Sequence, residues 1–177
     1  MIELEKKAKE IRLKIFKTIV NAGKGHVGGA FSCVDIIVAL YYGAYFKFNP
    51  NKPNMDSRDR FLFSKGHAGL ALYVLLADLG YFKETELLKY NQGDGKIAEH
   101  PDTRLPGIEV VSGSLGHGLG LGCGLALSSK LNNYENNFFT YVLLGDGECN
   151  EGLIWESAMF ASHHNLGNLA TIVDRNK

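Results

Sequence analysis

The chain has 177 residues, 45% of them hydrophobic, and its 19 basic and 19 acidic side chains cancel to zero formal charge. That length supports one domain with a full core, and the balanced charge leaves no basic footprint for nucleic acid. The longest apolar run, residues 36–46, is too short to span a bilayer.

The predicted elements begin with an amphipathic helix over the first 22 residues. Leu4, Ala8, Ile11, Ile15 and Ile19 fall on one face of it. Glu3, Glu5 and Glu10 are foreign to a secretory signal, which points to a cytoplasmic protein. The stretch "GKGHVGGA" (23–30) reads as a glycine loop. Ser32 with Asp35 three residues on resembles a capping box, opening a helix that runs to about Phe46.

A polar loop (49–60) leads into a short buried strand, "FLFS" (61–64). After "SKGHAG" comes an apolar helix stopped by Gly80. A shorter helix over 84–91 precedes the irregular "QGDGKIAEHPDTRLPG". "IEVV" (108–111) reads as another short strand, and a helix follows over 119–131. The last elements are a strand over 138–144, a helix near 152–164, and a strand over 169–173. Strand, special loop and helix thus alternate, which predicts an α/β fold: an open, mostly parallel sheet flanked by helices. Ligands of such sheets bind beyond the carboxyl ends of the strands.

The 21 glycines lack a repeat and cluster at 23–29, 113–124 and 145–152, where the backbone must approach something closely. Cys33, Cys123 and Cys149 have no pairing spacing, so a reducing compartment is expected, with Cys149 a packing thiol.

The segment "VLLGDGECNEG" carries the chemistry. Its strand delivers Asp146 to the sheet edge, and "LATIV" delivers Asp174 and Asn176 to the same edge. A carboxylate and an amide oxygen beside a helix N-terminus suit Mg2+, which shares its oxygen ligands with phosphates. Gly145 and Gly147 leave the backbone open to those phosphates. A nucleotide-binding alternative lacks both the GxGxxG and GxxxxGK[ST] patterns.

GDG followed some thirty residues later by Asn resembles the motif of enzymes that use thiamine diphosphate. Together with "GKGHVGGAFS", "LFSKGHAGLALY" and "EHPDTRLPGIEVVSGSLGHGLGLGCGLA", the chain from about residue 12 onward resembles the N-terminal, pyrophosphate-binding region of transketolase.

The resemblance implies Asp146 and Asn176 as ligands of Mg2+ (or Ca2+ or Mn2+), with Asn176, Gly147 and His67 also at the diphosphate. It implies Gly113, Ser114 and Leu115 along the cofactor's aminopyrimidine, and His26 and His100 as catalytic residues at substrate oxygens. Glu151 is implied in a network linking active sites at a subunit interface, whereas Glu148 is expected merely to favour the helix N-terminus. His117 stands where many relatives carry Gln, and its role is open; His163 and His164 are expected to face solvent or cap a helix.

The resemblance further implies ketol transfer between sugar phosphates, within pentose phosphate metabolism. The family's catalytic carboxylate for the aminopyrimidine lies in a second domain. Residues 1–177 are therefore expected to form a C-terminally truncated domain, inactive alone. It would work with a C-terminal, pyrimidine-binding section or subunit in a dimer or heterotetramer. Dihydroxyacetone synthase, deoxyxylulose phosphate synthase and a non-catalytic assembly subunit stand as alternatives.

Overall fold

The computed structural model describes residues 2–93, 96–132 and 138–176. Its elements in chain order are α1 (Ile2–Ala22), α2 (Val27–Ser32), α3 (Val34–Tyr42), β1 (Arg60–Phe63) and α4 (Gly69–Asp78). There follow α5 (His117–Leu131), β2 (Thr140–Gly145), α6 (Gly152–His163) and β3 (Leu169–Asp174). The strands pair in parallel in the order β1-β2-β3, with Leu62 beside Val142 and Gly145 beside Asp174. All carboxyl ends therefore share one edge, as the alternating pattern predicts.

Helices cover the sheet on both faces. On one, Phe61 and Phe63 of β1 and Leu143 of β2 pack with Ile11 and Ile15 of α1, Ile37 of α3 and nearly all of α4. Ala8, Ile11, Ile15 and Ile19 are buried as their spacing predicts. Each fully buried aliphatic side chain contributes roughly 1.5–3 kcal/mol of transfer free energy. On the other face, Leu62, Val142 and Leu144 meet Leu119 of α5 and Ile154 of α6. Helix α5 is seated very close to the sheet because position 122 lacks a side chain: a Cβ there would sit 2.5 Å from a Val142 methyl.

Several expected elements differ. The glycine loop 23–30 becomes helical at Val27, and Gly28 and Gly29 lie inside α2. Ser32 caps nothing; its hydroxyl donates to Asp174 at 2.6 Å, and Asp35 pairs with Arg12. Helix α3 stops at Tyr42, where Gly43 terminates it, rather than at Phe46. Residues 84–89 form a 3₁₀ helix, and further 3₁₀ turns precede α4 (Gly66–Ala68) and α6 (Gly147–Asn150). The expected strand 108–111 is irregular. Its apolar residues are used as packing against the two cores through Ile108 and Val110, while Glu109 binds Arg58 and lies near Arg60. Asp94 and Gly95 of the long loop fall outside the described residues.

Candidate functional site

The sheet's carboxyl edge gathers the predicted residues. Strand β2 ends at Gly145, and Asp146 turns the chain into the 3₁₀ segment by accepting the Gly147 N–H at 2.9 Å. Its second oxygen accepts the backbone N–H of Asn176 at 3.0 Å, just past β3. The two expected ion ligands are thus brought together, although they are thirty positions apart. A Cβ built on Gly147 would meet nothing within 4 Å, so the space beside Asp146 is open.

Asp174 serves a different purpose from the one its position suggests. Its carboxylate, 4% exposed, is bound by the ammonium of Lys65, itself 1% exposed, and by the Ser32 hydroxyl. Burial pushes the Asp174 carboxyl up. Lys65, Ser32 and the Asn176 side-chain amide outweigh that effect and hold it below the ordinary carboxylate range. The pair clamps β1 to β3 beneath the site, and its charges are spent on each other.

His26 and His67 stand beside one another. His67 lies half-buried in the turn after Lys65, with the His26 ring edge-on to it at 5.8 Å. Burial, then the positive charge of Lys65, lowers the His67 pKa, so at neutral pH the ring is uncharged and carries one N–H. His26 is exposed at the start of α2, and its Nδ1 lies 2.9 Å from a carboxylate oxygen of Glu99. A carboxylate at Nδ1 fixes the proton there and leaves Nε2 for a ligand.

His100 is half-buried, its backbone oxygen held by the Tyr73 hydroxyl at 2.6 Å. Its ring borders the contact between Gly66 and Gly113, where a Cβ on Gly66 would come within 2.8 Å of the Gly113 nitrogen. Gly113, Ser114 and Leu115 follow as an exposed loop, and His117, opening α5, directs Nδ1 to the Leu115 carbonyl at 3.1 Å.

Glu151 stands exposed before α6 without capping it. His164 caps the other end of that helix and packs on Phe160, and His163 is exposed, as expected. Burial raises the Cys149 thiol, helped by Glu148 and Asp146, in keeping with a packing role.

Glu148 does more than expected. It lies in the first turn of the 3₁₀ segment, yet it is 2% exposed and accepts from Ser64, from Gly116 N at 2.9 Å and from Gly145 N at 3.1 Å. Glu99 and Lys65 are further site residues that the sequence does not single out. Their roles arise from partners distant in the chain, and only adjacency to His100 and Gly66 hints at them.

Among the described residues, no cluster of three or more His, Cys, Asp or Glu side chains could cage a metal. The candidate donors are instead the Asp146 carboxylate, beside open space, and the oxygen of the Asn176 amide, whose NH2 donates to Asp174. That set fits a hard divalent ion which takes its remaining ligands from a phosphorylated cofactor and water.

The model of the transketolase thiamine diphosphate binding domain matches residues 4–177. The chain belongs to the transketolase family. It is 39% identical over 174 residues to an apulose-4-phosphate transketolase subunit of Phocaeicola vulgatus, covering 98% of this chain and 61% of that one. The 6-deoxy-6-sulfo-D-fructose transketolase subunit SqwG of a Clostridium species is 40% identical over 177 residues, covering 99% and 63%. Transketolase from Leishmania mexicana superposes with a TM-score of 0.90 at 31% identity, over 98% of this chain and 27% of that chain. The chain thus spans about three-fifths of the length of the two bacterial relatives. It is the transketolase N-terminal, thiamine diphosphate-binding section. None of the described helices is long and apolar enough to cross a membrane.

Proposed function

We propose that this chain is the diphosphate-holding part of a transketolase that moves a two-carbon ketol unit from a ketose phosphate to an aldose phosphate. The observation that carries the reading is the meeting of Asp146 and Asn176 at neighbouring strand ends, with Lys65, just before the turn that bears His67, bound to Asp174. Asp146 and the Asn176 amide oxygen would hold Mg2+, and the open space beside Gly147 would take the diphosphate. Thiamine diphosphate, when bound, supplies the nucleophilic carbon and holds the electron pair released as the C–C bond breaks.

The protein's own residues bind, orient and move protons. His67, neutral at pH 7, donates an N–H to a phosphate oxygen without adding charge. Leu115 and the backbone of Gly113 and Ser114 line the aminopyrimidine. His26, oriented by Glu99, presents Nε2 to a substrate hydroxyl, and His100 binds a neighbouring oxygen. Glu151, exposed before α6, joins a network toward a second active site.

The carboxylate that activates the aminopyrimidine comes from a pyrimidine-binding chain or domain outside residues 1–177. The two bacterial relatives, each a transketolase subunit named for a sugar, support a sugar substrate and a partner chain. Turnover is therefore expected from the chain paired with such a partner, in a cytoplasmic dimer or heterotetramer, and not from the chain alone.

A coupled assay of ketol transfer tests this. The pair should be active, and His26→Ala should lower its turnover by roughly 10²–10⁴-fold with cofactor affinity kept. Full activity of the isolated chain, or a His26→Ala effect confined to cofactor affinity, would overturn the reading.

A further inference from the structure

Glu148 makes contacts that the metal site, the histidines and the substrate do not require. Its carboxylate is sealed from solvent, and its oxygens accept from three different segments. Oε1 receives the Ser64 hydroxyl at the end of β1 and the Gly116 N–H from the loop before α5. Oε2 receives the Gly145 N–H at the end of β2. Around it the segments touch directly. A Cβ on Gly118 would lie 2.3 Å from the Ser64 hydroxyl, and one on Gly116 would lie 2.8 Å from the Cβ of Glu151. Gly116 itself holds a left-handed φ of +86°, so its N–H is aimed by a turn that few other residues accept.

We propose that Glu148 is the positioning residue that fixes the loop Gly113–Leu115 against the strand edge carrying Asp146. This rests on the proposed function, in which that loop lines the aminopyrimidine and Asp146 holds the ion at the diphosphate. The two ends of the cofactor are gripped by segments with no continuous secondary structure between them. One buried carboxylate, hydrogen-bonded to both, sets their separation. Buried donors that lose such an acceptor are costly, so the loop would shift rather than leave them bare.

The geometry distinguishes two replacements. Glu148→Ala strips the acceptor from Ser64, Gly116 and Gly145 together. Glu148→Gln keeps the volume but offers one oxygen, so either Gly116 or Gly145 faces an NH2 and loses its bond.

The test measures amide hydrogen exchange across residues 113–118 and 143–147, and thiamine diphosphate affinity with Mg2+, on the wild-type chain and both variants. Exchange should quicken in one of the two segments in Glu148→Gln and in both in Glu148→Ala. Affinity should fall about tenfold in the first and further in the second. Glu148→Gln carries the test if Glu148→Ala fails to fold. Wild-type exchange in Glu148→Gln would overturn the positioning role, and so would wild-type affinity in the presence of loosened loops. A wild-type chain that binds no thiamine diphosphate would sink the functional reading instead, and with it the cofactor half of this proposal. The exchange pattern would then still decide whether Glu148 fixes the loops.

Discussion

At the scale of single residues, the site is organised by which charges are already spent. Lys65 stands two positions before His67, yet it is committed to Asp174. In the proposed site a neutral His67 would therefore meet the anion with hydrogen bonding rather than charge. Asp174 titrates below its ordinary range because Lys65, Ser32 and Asn176 outweigh its burial. A carboxyl with a lowered folded pKa stabilises the fold above its unfolded value, and that contribution disappears as pH falls through the folded value. Wild-type stability should thus decline on acidification below the ordinary carboxylate range. Replacing both partners, Lys65→Met with Asp174→Leu, should flatten that decline in urea titrations at several pH values. Asp174→Ala alone, which strands a buried ammonium, should unfold the chain more readily at every pH. Identical acid profiles for the wild type and the double variant would contradict the assignment.

Glu99 acts through another residue as well. Glu99→Gln should leave cofactor affinity unchanged and lower the turnover of the paired enzyme, because the carboxylate that holds Nδ1 of His26 is gone. Unchanged turnover would remove Glu99 from the mechanism.

At the scale of elements, α5 is seated closely on the sheet directly after the Gly113–Gly116 loop. Gly122→Ala would drive a methyl into Val142 and should cost about 1–3 kcal/mol in chemical denaturation. Gly124→Ala, on the same helix with nothing within 4 Å, should instead stabilise by about 0.5–1 kcal/mol. Equal effects of the two would mean the helix is not pressed on the sheet.

Much of the element plan is legible in the sequence. The period of Ala8, Ile11, Ile15 and Ile19 marks the inner face of α1, and the unbroken apolar run in β2 marks a strand buried on both sides. "IEVV" misleads because its composition satisfies a strand equally well as a packed irregular segment. What decides it is Glu109, which pairs with Arg58, fifty-one positions away. Ser32 misleads likewise: a hydroxyl three residues before an acid signals a cap, but Asp174, 142 positions on, claims it first. Asp146, Asn176 and the histidines stand out because their neighbours form ordered motifs. Glu148 does not, because its partners Ser64 and Gly116 lie 84 and 32 positions away.

At the scale of the whole molecule, the described strands leave one flank open. Thr171 and Val173 of β3 line a cleft of about 570 Å³ with Leu119, Leu144, Ile154 and Trp155. Trp155 and Met159 on α6 are 62% and 67% exposed. The proposed site lies at the strand edge rather than in this cleft, so its proposed diphosphate end can be examined on the chain as it stands.

Asp146 and Asn176, gripping a divalent ion that anchors a thiamine diphosphate tail, are the centre of the proposed site. Calorimetric titration of thiamine diphosphate into the chain, with Mg2+ and with a chelator, tests this most directly. Weak binding that requires Mg2+ and vanishes in Asp146→Ala is the expected result. Binding of equal strength with chelator present, or unchanged by that substitution, would contradict it.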